Sequence, residues 1–343
     1  MYNSVILLTG KYMKILKIII LLLLVSFTAL GAESLSKEKI ERVVKEAYLK
    51  YKDCKEGKNA DYIKALAEVN PKLFGITVVD KDGNVYEYGD TKAEVSIQSI
   101  SKVFTLALVM SEKGDTFVAK KIGVNATGLP FNSIIAIEQH KGSPSNPFVN
   151  AGAIATTSWV KAKDSKERWM KIMANMNMFA GRELPFKKDV YISEVNDNKR
   201  NQAIAKLLDA YGRMGSDPLE ATTVYTKQCS VGVSSHDLAV MSATIANHGV
   251  NPLTKVKVIN AKYTPKIMAV MATAGLYDNA GEWLYKTGLP AKSGVGGGII
   301  AIVPGSFGIA VVSPPLDLFG NSVRAQKAIA YIVEKLGLNP YAQ

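Results

Sequence analysis

The chain is poor in the residues that build metal centres and disulfide scaffolds: 343 residues hold two cysteines and three histidines. Cys54 and Cys229 permit at most one bridge, so the fold must rest on an apolar core rather than on cross-links. His140, His236 and His248 lie far apart, and no metal-ligand spacing is present. Neither a zinc site nor a histidine-based triad is expected, and no metal is assigned. The net charge is +12, yet there is no Arg-rich stripe and no aromatic interleaving. That argues against a nucleic-acid partner. Gly294-Val-Gly-Gly-Gly298 is not a G-x-G-x-x-G loop and no helix follows it, so no dinucleotide cofactor is expected. The apolar run Ile18–Leu30 covers 13 residues, where a membrane span needs about 20.

What is present describes a folded globular protein, with 48% apolar and 21% charged residues. Lys14 and Lys17 precede the apolar run, and Ala29-Leu-Gly31 follow it as small residues suited to cleavage. Residues 1–32 therefore have the form of a secretory signal peptide, with Met13 as an alternative start. The mature chain, 33–343, is then expected in the periplasm or outside the cell, with no stable membrane attachment after cleavage.

Periodicity predicts an amphipathic helix over 35–53 and a short one over Ala60–Val69, stopped by Asn70-Pro71. A hairpin follows: Gly75–Asp80, a turn Lys81-Asp-Gly-Asn84, and Val85–Tyr88. Helical patterns then cover 151–162, 165–180, 199–213, 217–227, 235–248 and 265–274. Strands return at Gly297–Val303 and Phe307–Val312, and a last helix spans Ser322–Leu336. Strands near both ends with helices between them predict an α+β fold. One antiparallel sheet is interrupted in sequence by a helical subdomain at about 115–275.

Ser-x-x-Lys occurs four times, at Ser34/Lys37, Ser36/Lys39, Ser99/Lys102 and Ser158/Lys161. Only Ser99/Lys102 opens a helix that is apolar nearly all round, Val103-Phe-Thr-Leu-Ala-Leu-Val-Met110. Buried lysine is costly without a task. Three residues apart, the hydroxyl and the amine share a helix face. A desolvated lysine that loses its proton can take the proton of the serine and make it a nucleophile. Lys292-Ser-Gly294, just before a strand, can add a cation, a hydroxyl and an open backbone edge. This pairing is the device of penicillin-recognising enzymes.

With these residues in view, the chain closely resembles the serine-dependent glutaminases, from about Asn59 to Asn339. The resemblance is carried by Ala60-Asp-Tyr-Ile63, Gln98-Ser-Ile-Ser-Lys102, Asn146-Pro-Phe-Val-Asn-Ala-Gly-Ala-Ile154 and Tyr225-x-x-x-Cys-Ser230. It continues through Asp237-Leu-Ala-Val-Met241, Gly288-Leu-Pro-Ala-Lys-Ser-Gly-Val295 and Ser313-Pro-Pro-Leu-Asp317. It implies a β-lactamase/transpeptidase-like fold and hydrolysis of L-glutamine to L-glutamate and ammonia, without a cofactor. It implies Ser99 as nucleophile and Lys102 as its activator. Tyr62, Asn150, Glu194, Asn201, Tyr225, Tyr277 and Val295 match substrate-contact positions. Glu194 suits the α-ammonium; Asn150, Asn201 and Tyr62 suit the α-carboxylate. Tyr225 and Tyr277 can move protons, and the backbone N–H groups of Ser99 and Val295 can form an oxyanion hole. A homodimer or homotetramer is expected from the family alone.

Taken singly, Tyr62 and Tyr225 read as packing residues, Asn150 and Asn201 as caps, Glu194 as a solvated charge and Cys229 as core. The chain departs from the family at Gly123–Gly128, where a Glu-Pro-Ser loop is usual. It also departs in its signal peptide, since bacterial members are usually cytosolic, and a cytoplasmic location is the alternative. Two other readings share the nucleophile: an exported β-lactamase or transpeptidase, and a non-catalytic ligand sensor.

Overall fold

The structure is a computed structural model and describes residues 35–342. The expected signal peptide at 1–32 and the expected alternative start at Met13 lie outside the described residues.

Five strands form one antiparallel sheet: β1 (Gly75–Asp80), β2 (Val85–Gly89), β5 (Ala291–Gly294), β6 (Gly298–Val303) and β7 (Phe307–Val312), in the order β2-β1-β7-β6-β5. A short ladder of β3 (Val95–Ser96) and β4 (Gly232–Val233) stands apart. The central strands are buried along their whole length. Their sequences accordingly read as continuous apolar runs rather than as alternation. Ile300, Ile302, Ala310 and Val312 belong to the core that holds the Ser235–Ala246 helix. The intervening Ile299, Ala301, Ile309 and Val311 are equally buried and point to the other face. There the Val323–Leu336 helix packs on β6 and β7. Gly308 shows how closely the first helix lies: a Cβ would sit 2.2 Å from the Ala243 nitrogen.

Between β3 and β5 the chain is largely helical. The Ser101–Lys113, Asn150–Ser158, Ser165–Ala180, Lys199–Ala210 and Pro218–Cys229 helices pack on one another. Their termini follow capping chemistry. Asp217 accepts from the Leu219 and Glu220 N–H groups with Pro218 in the first turn, and Ser234 and Asp237 form a reciprocal capping box.

Two local expectations need correction. Ala60–Val69 forms only one helical turn, Lys64–Ala67. The Asn59 side chain takes up the Leu66 and Val69 carbonyls instead of a longer helix. Lys292-Ser-Gly294 precedes β6 as expected but is itself part of a strand, the edge strand β5, paired with Ile300, Ile299 and Gly298. Cys54 and Cys229, whose pairing the sequence left open, are both free thiols.

Candidate active site

Ser99 sits in a 3-10 turn, Gln98–Ile100, that runs directly into the Ser101–Lys113 helix. The residue before it, Gln98, has φ +48°. An L residue with a side chain seldom adopts this left-handed conformation, and such strain collects at functional sites. Side-chain bonds hold it: the Gln98 amide donates to Ser96 Oγ at 3.1 Å and to Glu194 Oε1 at 2.6 Å. Short pairing of β3 with β4 ties the turn to the end of the helical region.

Lys102, one turn on, is 1% exposed. Its Nζ donates to the Phe148 carbonyl at 3.1 Å and to Asn150 Oδ1 at 2.9 Å. Both acceptors are neutral, so burial dominates and lowers the amine to about 8. At pH 7 about one molecule in ten then carries a neutral Lys102, against about one in three thousand for a free lysine.

A relay of polar groups surrounds this amine. Tyr225 donates to Asn150 Oδ1 at 3.1 Å, and the Asn150 amide donates to Asn201 Oδ1 at 3.1 Å. The Tyr225 ring lies below the ammonium, 5.8 Å from Nζ to its centre. Burial raises the Tyr225 phenol well above its usual value. Tyr277 is buried, has φ +54°, and its phenol reaches the Ser293 carbonyl at 3.5 Å. Burial raises it too, while the nearby Ser99 hydroxyl opposes the rise.

Glu194 is half-buried at the end of the Lys188–Val195 helix. Loss of solvent raises its carboxyl to about 7, opposed only by the Gln98 amide. Asn201 is in the first turn of the next helix, Lys199–Ala210. The two are therefore joined by a helix–turn–helix corner at Asn196-Asp-Asn198.

These side chains converge on a cavity of about 380 Å3. Tyr62, Ser99, Asn150, Glu194, Asn201, Tyr225 and Val295 all line it. Tyr62 is 55% exposed and stands at the rim. Lys102 lies behind the wall, and Tyr277 flanks it through Phe131, whose ring centre is 4.8 Å away. Residues not expected from the sequence join the lining: Gln98, Phe131, Asn132, Asn198 and Arg200. Arg200 is exposed and donates to the Asn132 carbonyl at 2.9 Å. For Gln98, its place directly before Ser99 was the signal the sequence offered. Cys229 also lines the cavity, but burial pushes its thiol up to about 12, which leaves it a poor nucleophile.

Lys292 does not turn its cation to the cavity. It is fully buried, donates to the Gly275 and Ser293 carbonyls at 2.9 and 2.7 Å, and lies 4.2 Å from the Tyr277 ring centre.

Val295 is held in the β5–β6 turn, where Gly297 N–H donates to Gly294 O at 2.9 Å. Cβ atoms at Gly294 and Gly296 would lie 2.8 Å from Ile97 O and 2.3 Å from Ser96 O. Only glycine lets this turn approach the serine turn so closely. Gly296→Ala is therefore expected to displace the Val295 N–H and lower kcat by about 10²-fold. Kinetics on protein with an unchanged circular dichroism spectrum check this; full activity would refute the role of the turn.

A five-stranded antiparallel sheet between helices, a serine one turn before a buried lysine and a Lys-Ser-Gly edge strand place the chain in the serine β-lactamase-like class. The glutaminase family model matches residues 57–341. A glutaminase of Colwellia psychrerythraea is 52% identical over 308 residues, 90% of this chain and 99% of the relative. Glutaminase 1 of Escherichia coli strain K12 is 47% identical over 307 residues, with the same coverage. Among solved structures, a probable glutaminase, ybaS, superposes with a TM-score of 0.89 at 46% identity, covering 90% of this chain and all of that one. Mglu in its glutamate form gives 0.85 at 33%, covering 90% and 70%. The chain belongs to the glutaminase family.

Proposed function

We propose that this glutaminase hydrolyses L-glutamine to L-glutamate and ammonia through a glutamyl ester on Ser99. The observation that carries the reading is the buried, uncompensated Lys102 one turn from a cavity-lining serine. Neutral Lys102 takes the Ser99 proton as Oγ attacks the side-chain amide carbon of glutamine. The oxyanion receives the Ser99 and Val295 N–H groups. Collapse breaks the C–N bond, and the proton held by Lys102 reaches the departing amine, with Tyr277 and Tyr225 as the phenols within reach. Water then cleaves the ester by the reverse proton path. Glu194 pairs with the α-ammonium, and Asn150, Asn201 and Tyr62 meet the α-carboxylate. The glutamate form of Mglu, on the same fold, supports a site for the amino-acid head group.

Ammonia release from L-glutamine and L-asparagine, together with the colour change on ring opening of a chromogenic β-lactam, tests the reading. Glutamine is expected to be preferred, with no turnover of the β-lactam; the reverse order would sink it. The pH profile has a fixed sign. Glu194 is charged only above about 7 and Lys102 neutral only above about 8. Both steps act in one direction, so kcat/KM should climb from pH 6 to 9. A flat profile would exclude a lysine base.

Export is proposed from the basic, apolar and small-residue order of residues 13–32. N-terminal sequencing of the protein recovered from cells is expected to begin near Ala32 or Glu33. Recovery of the intact leader in the cytoplasm would refute export.

A further inference from the structure

An open cavity of about 870 Å3, separate from the catalytic one, is lined by Tyr48, residues 52–55, 57–59 and 61, Pro71-Lys72, Pro315 and Arg324. At its wall Arg324 is 2% exposed. Its terminal nitrogens donate to the backbone carbonyls of Lys52, Pro71 and Lys72. Its Nε has no partner among the described residues. Nor does any carboxylate among them form an ion pair with it. Asp90 acts on it only at longer range and already accepts the Phe74 N–H at 3.0 Å. A buried guanidinium cannot shed its proton, and without a counter-charge it is strongly unfavourable.

The rest of the wall has the same sign. Lys52, Lys55, Lys58 and Lys72 line the cavity against Asp53 and Asp61, and Asp61 is already bound by Lys58 at 2.7 Å. Tyr48, Ala67, Pro71 and Pro315 supply apolar surface. The volume is that of a site for a drug-sized molecule and exceeds what a bare inorganic ion fills. A guanidinium fork matches the planar geometry of a carboxylate.

We propose that this cavity is a second ligand site, for a small organic carboxylate whose acid group meets Arg324 and whose apolar body lies on Tyr48, Pro71 and Pro315. The proposal is independent of the catalytic reading.

Titration of the full chain with 2-naphthoate and its neutral isostere 2-naphthamide, followed by calorimetry, tests it. L-Glutamate is kept saturating so that the catalytic cavity is occupied. Naphthoate should bind at least tenfold more tightly than the amide. That preference should vanish in Arg324→Gln and in Lys52→Glu/Lys72→Glu. The lysines are exposed, so the double variant decides the matter should Arg324→Gln fail to fold. Equal binding of acid and amide, no binding of either, or an acid preference that survives charge reversal would each overturn the site and leave Arg324 as a clamp on three carbonyls.

Discussion

Ser99→Ala and Lys102→Ala are each expected to lower kcat by about 10³-fold or more, about 4 kcal/mol of barrier. The double variant should be scarcely worse than either single one, because nucleophile and base act as a unit. Multiplicative losses would show that the two residues act separately. The structure also dictates the control. Lys102 fills a fully buried position and serves two acceptors, Phe148 O and Asn150 Oδ1. Alanine there opens a cavity and leaves the Phe148 carbonyl short of that donor, whereas Asn150 Oδ1 keeps Tyr225. Part of any loss could then arise from local collapse. Lys102→Met keeps the volume and removes only the amine. If it is as inactive as Lys102→Ala, and the Tyr225 and Asn150 contacts survive in its crystal structure, the loss belongs to proton transfer.

Much of this site was legible because its chemistry is local in sequence. Ser99 and Lys102 are separated by one turn, and the apolar run after them announces burial. The alternation of strand-like and helical stretches likewise exposed the antiparallel sheet split by helices. What stayed hidden was long-range or conformational. Nothing in Val95-Ser96 announces pairing with Gly232-Val233, because a two-residue ladder has no periodicity to read. Nothing local marks Gln98 as the residue whose positive φ turns its amide onto Glu194, 96 residues away. Lys292 had the residue type for a site cation, yet its orientation toward Gly275 and Ser293 carbonyls is a tertiary fact. The raised carboxyl of Glu194 has the same origin, since solvent is removed by segments remote in the chain.

That carboxyl gives the second large effect. A free α-ammonium supplies the charge that Glu194 lacks among its neighbours, so the enzyme should demand a free amino acid. N-acetylglutamine offers no cation, and removing one member of a buried pair costs roughly 3–5 kcal/mol. Here the cost is bounded, because Glu194 is only half-buried and can take up a proton near pH 7. A protonated Glu194 tolerates a neutral amide; an ionised one does not. The preference for glutamine over N-acetylglutamine should therefore reach about 10²-fold and widen as pH rises from 6 to 9, with the sign set by the raised carboxyl. L-Asparagine keeps the head group but is one methylene short. With its head held at Glu194 and Asn150, its amide carbon falls about 1 Å short of the position that Ser99 attacks, a misplacement costing roughly 10²-fold. Glu194→Gln should raise KM for glutamine while leaving turnover of an activated ester without the amine unchanged. It should also abolish the pH dependence of the glutamine preference. If the native enzyme cleaved N-acetylglutamine as fast as glutamine at pH 8, the ammonium would be bound elsewhere, and Glu194 would be only the group that locks Gln98 beside the nucleophile.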